Sequence, residues 1–426
     1  MSLKTAVVSR IVEYITSAKR QDQLRKKFEE LRKRSSARHT LDYFHQVDDP
    51  YSHLALQALN MMQNRYEVDV RLWVVEPPED WTLPERKHWL DYARADCQRL
   101  AQRTGLTFTD YGSQPDADLV QSAQHDIGKC LWRSDAVAKA LVISFAFWAK
   151  TLPKPIVPFD FTPLAKGTQK RAQLGHYMGA MIYYGGEWYW GVDRLHYLEA
   201  RLKEVGAQKM GHDFGYIVPP PALRLRPHAK RNVTPLILDW YLSFSSPYSY
   251  LACARVKQLI ETYGIEVRLR FVVPMSMRGL PNLKIKSQYI TLDCAREARR
   301  LSVPFGRIAD PVGRPVERGY AILAWAIEIG RGFEFCEAFL QAVWSQGLDA
   351  GSDRDLRRIV ETAGLDWNRA RDRLNGDAWR AQAEDNRLDL QQLGHWGVPC
   401  FVVKDLCVWG QDRLWVVADA LANWSH

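Results

Sequence analysis

The sequence predicts an α/β protein built from two copies of one unit, each a β-α-β opening, a helical insertion and a β-β-α tail. Three observations lead there: a direct repeat, a change from strand-like to helical periodicity within each copy, and a proline-rich basic stretch between them. Leu41–Ala55 reads LDYFHQVDDPYSHLA and Leu238–Ala252 reads LDWYLSFSSPYSYLA, seven identities in fifteen positions at an offset of 197. Such self-similarity sets the domain count more firmly than length does. The same offset places Tyr92, Asp96-Cys97 and Arg99 on Tyr289, Asp293-Cys294 and Arg296. Near the end of each copy, Leu174–Leu195 aligns without gaps to Leu393–Leu414 at an offset of 219, so the second copy carries 22 additional residues in between.

In the second copy an apolar run, 236–244, meets a Ser/Pro turn, then a helical pattern over 248–262 and a second strand over 267–273. A helix-rich middle follows over 285–386, and Pro399 to Trp409 reads as a β-hairpin leading into a helix from Asp412. The predicted organisation is a basic helical segment at 1–40, the first copy at 41–205, a Pro-rich basic linker at 206–235 and the second copy at 236–426. Val7, Ile11, Ile15, Leu24, Phe28 and Leu31 recur at helical spacing, which predicts that the N-terminal segment packs on the first copy.

At 426 residues, 46% hydrophobic and 25% charged, the chain has the composition of folded domains with their own cores, not of a disordered or fibrous protein. The most apolar stretch, 136–149, contains Lys139 and is shorter than the roughly 20 residues a bilayer span needs, so it reads as a buried helix. The first ten residues do not resemble a secretory signal. Seven cysteines at irregular spacing, with no CxxC, argue for a reducing compartment, and the cytoplasm is the expected location. No metal is expected. The net charge of +9 is local: residues 1–40 contribute +7 and 201–231 contribute +5, leaving about −3 for the rest. Without aromatic residues among those charges to stack bases, a solvated helix and linker are favoured over a nucleic-acid partner.

Three motifs of the second copy carry chemistry: Phe244-Ser-Ser-Pro-Tyr-Ser-Tyr-Leu-Ala252, Lys286-x-x-Tyr-x-x-x-Asp-x-x-Arg296, and Gly397-Val-Pro-x-Phe401 with Trp409-Gly-Gln-Asp-Arg-Leu414. Together they resemble 2-hydroxychromene-2-carboxylate isomerases and kappa-class glutathione transferases of the DsbA-like thioredoxin superfamily. The resemblance covers residues 236–424 in full and 41–202 in weakened form, and implies two thioredoxin-like domains, each with a helical insertion. It also implies a glutathione site in the second.

Ser246 precedes Pro247 at a predicted helix start, a placement that an N-cap alone explains. In the family this serine stands where dithiol relatives carry the first cysteine of CxxC. A hydroxyl there can donate to a bound thiol's sulfur and, with the helix dipole, favour the thiolate. Pro399 suits a tight turn before a strand, and the resemblance implies a cis bond whose neighbour, Val398, pairs with the ligand's backbone. Gln411 and Asp412 open a helix whose free amides can hold a carboxylate, and Asp412 can meet the γ-glutamyl ammonium; the resemblance implies that both hold glutathione, while a simple cap is the plainer reading of that motif alone. Lys286 and Asn282 correspond to the family's remaining glutathione contacts, although the loop over 275–282 departs from the family pattern.

In the first copy Asp49 replaces Ser246, Ala180 replaces Pro399, Trp89 replaces Lys286 and Val192 replaces Gln411. A carboxylate beside a thiol opposes ionisation, so this copy is expected to be a non-catalytic partner. The expected function is a glutathione-dependent isomerase or transferase acting on a small electrophilic, aromatic acid. A thiol-disulfide oxidoreductase-like protein and a non-catalytic glutathione-binding module are the alternatives. A homodimer and an intramolecular pseudo-dimer both remain open.

Overall fold

The computed structural model describes residues 3–80, 82–83, 85–153, 159–211, 215–226, 236–280 and 284–424. Asn282 and parts of the proposed linker, 212–214 and 227–235, lie outside the described residues. The chain divides into two compact units, one of Asp22–Pro220 and one of Met1–Gln21 with Pro221–His426.

In the first unit β1 (His39–His45) pairs in parallel with β2 (Val68–Val74) and antiparallel with β3 (Met181–Tyr184), which pairs antiparallel with β4 (Glu187–Trp190). The order is β2-β1-β3-β4. In the second unit β5 (Ile237–Leu242), β6 (Glu266–Phe271), β7 (Cys400–Val403) and β8 (Leu406–Trp409) repeat this arrangement as β6-β5-β7-β8, again with one parallel and two antiparallel pairings. The central strand β5 is apolar at nearly every position, as burial on both faces requires. Residues 285–386, read as helical, hold a succession of helices between Lys284 and Gln392 that cover the sheet.

The core of the second unit centres on Trp240, Phe244, Tyr320, Phe335 and Phe339, all fully buried. Phe244 and Phe339 stack with centroids 4.0 Å apart. Gly319 lets them close, since a Cβ there would lie 2.6 Å from Phe339 and 2.9 Å from Phe244.

The repeat extends to single hydrogen bonds. Tyr51 Oη donates to Asp96 Oδ2 at 2.8 Å, and Tyr248 Oη donates to Asp293 Oδ2 at 2.8 Å. Each joins the helix after the first strand of its unit, Pro50–Arg65 or Pro247–Tyr263, to the next long helix, Arg86–Thr104 or Lys284–Arg300.

Two expectations need correction. The N-terminal segment breaks between Leu3–Thr16 and Ala18–Arg34: from Asp22 on it belongs to the unit of the first copy, where Arg25 pairs with Glu187, but its residues through Gln21 belong to the unit of the second copy. Its apolar positions Val7, Ile11, Ile15, Leu24 and Leu31 are each about half exposed, while Ser9 and Thr16 are buried and Phe28 packs edge-on against Tyr184 at 5.3 Å. Helical spacing identified a stripe but not the face that would be covered. Likewise the helix Ala136–Trp148 buries only one face, with Val142 69% and Phe145 38% exposed. Among the described residues no helix is long and apolar enough to cross a membrane.

Tyr51→Phe and Tyr248→Phe are each expected to lower stability by about 1–3 kcal/mol, by taking one hydrogen bond from a buried carboxylate. Urea unfolding of both variants checks this, and comparable losses are the expected outcome for a duplicated contact.

Candidate functional site

β5 ends at Leu242, and the junction Ser243–Ser246 leads into the helix Pro247–Tyr263. Ser246 caps that helix in extended conformation, φ −99° and ψ 110°, and its Oγ accepts from the Ser249 amide at 3.2 Å. The same hydroxyl faces the carbonyl of Val398 at 3.4 Å. The Val398–Pro399 bond is cis. The strand–helix junction at the start of the second copy therefore meets the turn before β7 near its end.

Buried polar groups hold this junction in place. Tyr320 Oη donates to the Val272 carbonyl at 2.7 Å and shares a hydrogen bond with Ser243 Oγ at 3.1 Å; Trp344 Nε1 donates to the Phe244 carbonyl at 3.0 Å. Ser243 and Ser245 hydroxyls lie 3.0 Å apart. On the other side the Gly410 amide donates to the Pro399 carbonyl at 2.9 Å, joining the exit of β8 to the turn. Gly397 sits under the Trp409 indole, where a Cβ would come within 2.5 Å of the ring.

After β8 comes a short 3₁₀ turn, Gln411–Arg413, and only then the helix Leu414–Trp424. Asp412 is folded back over Gly410: a Cβ on that glycine would lie 2.7 Å from Asp412 Oδ1. Arg413 Nη1 is 3.6 Å from the same oxygen. The Gln411 side chain, expected beside the ligand, points into the protein. It is 1% exposed, donates from Nε2 to Glu297 Oε2 at 2.9 Å and accepts from Arg255.

Lys286 lies in the first turn of the helix Lys284–Arg300. It is half-buried, and burial pushes its ammonium below the ordinary lysine value. Among the described residues it has no acidic partner. At positions i, i+7 and i+11, Lys286, Asp293 and Glu297 share one helical face. Asp293 on that face receives Tyr248, two residues past Ser246, and Glu297 receives Gln411. The structure thus gathers Ser246, Val398, Pro399 and Asp412 and sets Lys286 on the helix flanking them.

Cys400, beside Pro399, is fully buried; its Sγ donates to the Gly397 carbonyl at 3.1 Å, and burial pushes the thiol well above its ordinary value. That environment suits a structural thiol, not a nucleophile. A groove of about 770 Å³ lies elsewhere, in the helical insertion between Arg314, Arg318, Trp379 and Arg380. None of the residues singled out above lines it. Among the described residues no group of His, Cys, Asp and Glu could hold a metal ion.

The corresponding place in the first unit is occupied by its own side chains. Asp49 caps the helix Pro50–Arg65, accepting from the Tyr51 amide at 3.1 Å and from Ser52 Oγ at 3.0 Å. Ser52 Oγ in turn accepts from the amide of Ala180 at 2.8 Å, so the strand end that follows is already paired internally. Trp89, in place of Lys286, packs on Tyr51 with centroids 5.7 Å apart. Burial raises the Asp49 carboxyl from 3.8 to about 7.

Sequence reasoning missed Glu297 and Arg255. The signal was present in the repeat: at the offset of 197 they stand on Leu100 and Ala58, two charged residues facing two apolar ones.

Residues 237–422 match the family model described as a DSBA-like thioredoxin domain. A 2-hydroxychromene-2-carboxylate isomerase of Pseudomonas putida is 25% identical over 196 residues, covering 44% of this chain and 95% of that protein. One from Sphingobium xenophagum is 27% identical over 195 residues, covering 42% and 93%. Among solved structures, a selenomethionine 2-hydroxychromene-2-carboxylate isomerase aligns at 22% identity and a TM-score of 0.39, covering 45% of this chain and 96% of that one. The matched segment is the second copy of the repeat.

The raised Asp49 carboxyl gives a stability test. Below pH 3.8 the group is protonated in both folded and unfolded chains; between 3.8 and about 7 only the unfolded chain ionises. Its contribution is therefore lost as pH rises through that window. Asp49→Asn is expected to flatten this component, so that wild type loses stability relative to the variant from pH 4 to pH 7 in denaturant titrations.

Proposed function

We propose that the DSBA-like domain of the second copy binds glutathione and uses it to isomerise, or to conjugate, a small electrophilic aromatic acid. The observation that carries this reading is Ser246: a hydroxyl at a helix N-terminus, 3.4 Å from the carbonyl of the residue preceding a cis-proline, in a chain with no CxxC. The relatives at 25–27% identity, matched over nearly their whole length and named as isomerases, support the reaction class.

The donor set fits the tripeptide. Asp412 offers a carboxylate to an ammonium, the Val398 backbone offers a strand edge to the cysteinyl unit, and Lys286 lacks an acidic partner among the described residues and so suits a terminal carboxylate. Bound glutathione supplies a sulfur nucleophile for reversible addition to an unsaturated acid. With the thiol bound, Ser246 Oγ turns its hydrogen from the Val398 carbonyl toward that sulfur, and the dipole of the helix Pro247–Tyr263 adds a partial positive charge that favours the anion. Each unit by which the thiol pKa falls below about 8.5 raises the ionised fraction at neutral pH roughly tenfold.

In this reading the first copy is a degenerate, non-catalytic duplicate, with Asp49, Ser52 and Ala180 closing the place where a ligand would sit. Asn282 is assigned to the glutathione site on the resemblance alone. The Gln411 side chain is assigned to the protein interior and not to direct ligand contact, for the geometric reason given above. Seven free cysteines accord with a reducing, cytoplasmic setting.

Ser246→Ala is expected to cut turnover roughly 10²-fold, as loss of one donor to a catalytic anion does, while calorimetric affinity for glutathione stays close to wild type. Retained affinity with no turnover of any electrophile by the wild type would favour a binding module instead. Cys400→Ser is expected to leave turnover unchanged, and robust disulfide reduction lost in that variant would overturn the thiolate-carrier reading.

A further inference from the structure

Glu297 is fully buried, yet its carboxylate is fully engaged. Arg300 donates to it from Nη2 at 2.8 Å and from Nε at 3.2 Å, and Gln411 Nε2 donates at 2.9 Å. Arg255 donates to the other end of the Gln411 amide and to the Leu251 carbonyl. Gln411 is thus gripped at both ends between the helices Lys284–Arg300 and Pro247–Tyr263.

Burying a carboxylate costs solvation that its partners only partly restore, and a well-packed apolar substitute is often at least as stable. The first copy contains that substitute. At the positions of Glu297, Arg255 and Gln411 it carries Leu100, Ala58 and Val192, all buried. The same sheet order forms without the network, so folding of such a unit does not require it. The copy that keeps it is the one that keeps Ser246, Pro399 and Lys286.

The turn beside Gln411 differs accordingly. Gly410 has φ +106° and the Asp412 carboxylate lies over it, whereas the equivalent Gly191 has φ +51° and no atom within 4 Å of a Cβ placed there. Asp193 is therefore not turned onto its glycine as Asp412 is. A three-residue turn has too few internal hydrogen bonds to hold one shape, and an anchored side chain at its first residue supplies the restraint.

We infer that Glu297, acting through Gln411 and Arg255, is a positioning residue that aims the Asp412 carboxylate at the ammonium of the ligand's γ-glutamyl end. The inference rests on the glutathione reading of the site and deepens it: recognition of the free amino group is a property of this buried network, not of Asp412 alone.

The test is the full-length chain carrying Arg255→Ala, Glu297→Leu and Gln411→Val together, with Glu297→Gln alone as the conservative variant. Glutathione and its deamino analogue, which lacks the α-amino group, serve as probes. The triple variant is expected to keep or raise the wild-type thermal midpoint, to raise KM for glutathione at least about tenfold with kcat at saturation little changed, and to lose discrimination between the two thiols. Glu297→Gln, which can still accept from Gln411, is expected to fall between. Undiminished discrimination in the folded triple variant overturns the inference, and so does a triple variant that fails to fold, which makes the network structural. Failure of the wild type to bind glutathione overturns the site reading itself, and with it this one.

Discussion

The Tyr320 hydroxyl, buried in the core of the second unit, is the contact on which its candidate site depends. It reaches the Val272 carbonyl just beyond β6, the hydroxyl of Ser243 just beyond β5, and the amide of Phe244. The carboxyl ends of two adjacent parallel strands are thereby tied to one atom on a helix of the insertion. Ligand sites in open α/β sheets form at such strand ends. Ser246 lies three residues beyond this tie, so its hydroxyl inherits a position set by the core. The stacked pair Phe244–Phe339 and the Trp344 hydrogen bond hold the same junction from beneath.

The two units separate what the fold requires from what the site requires. Both keep the Tyr–Asp hydrogen bond between neighbouring helices, the Pro-Tyr-Ser start of the first long helix, and an Asp-Arg pair after the last strand. Asp193-Arg194 persists, buried, in the unit that lost the rest, so the Asp-Arg pair has a place in packing. What the first unit lacks is a hydroxyl cap, a proline before its third strand, a lysine on the flanking helix and the polar network beneath the turn. In their place stand a buried acid, an internally paired amide, an indole and three apolar side chains, all packed within the unit.

Much of this was legible before any coordinates. The repeat, the strand and helix order, the cap at Ser246, the hairpin after Pro399 and the replacement of Ser246, Pro399 and Lys286 by Asp49, Ala180 and Trp89 in the first copy follow from local patterns a few residues long. Periodicity was less informative about which face of a helix is covered. Val7, Ile11 and Ile15 form an apolar stripe, yet the helix Leu3–Thr16 buries Ser9 and Thr16 instead. A stripe records that a surface is apolar, and only the rest of the chain decides whether something meets it.

The sequence by itself determined that one unit occurs twice, that only the second copy carries Ser246, Pro399 and Lys286, and that no CxxC is available. These are matters of residue identity and short-range spacing. Tertiary structure decided where the side chains turn: Gln411 inward to Glu297 and Arg255, Asp412 over Gly410, Asp49 into a closed pocket of its own, and Cys400 out of reach of solvent. The reason is distance along the chain. Gln411 meets partners 114 and 156 residues away, and Ser246 faces a carbonyl 152 residues away. Whether a polar side chain is buried with a partner depends on such long-range meetings, which no local pattern encodes.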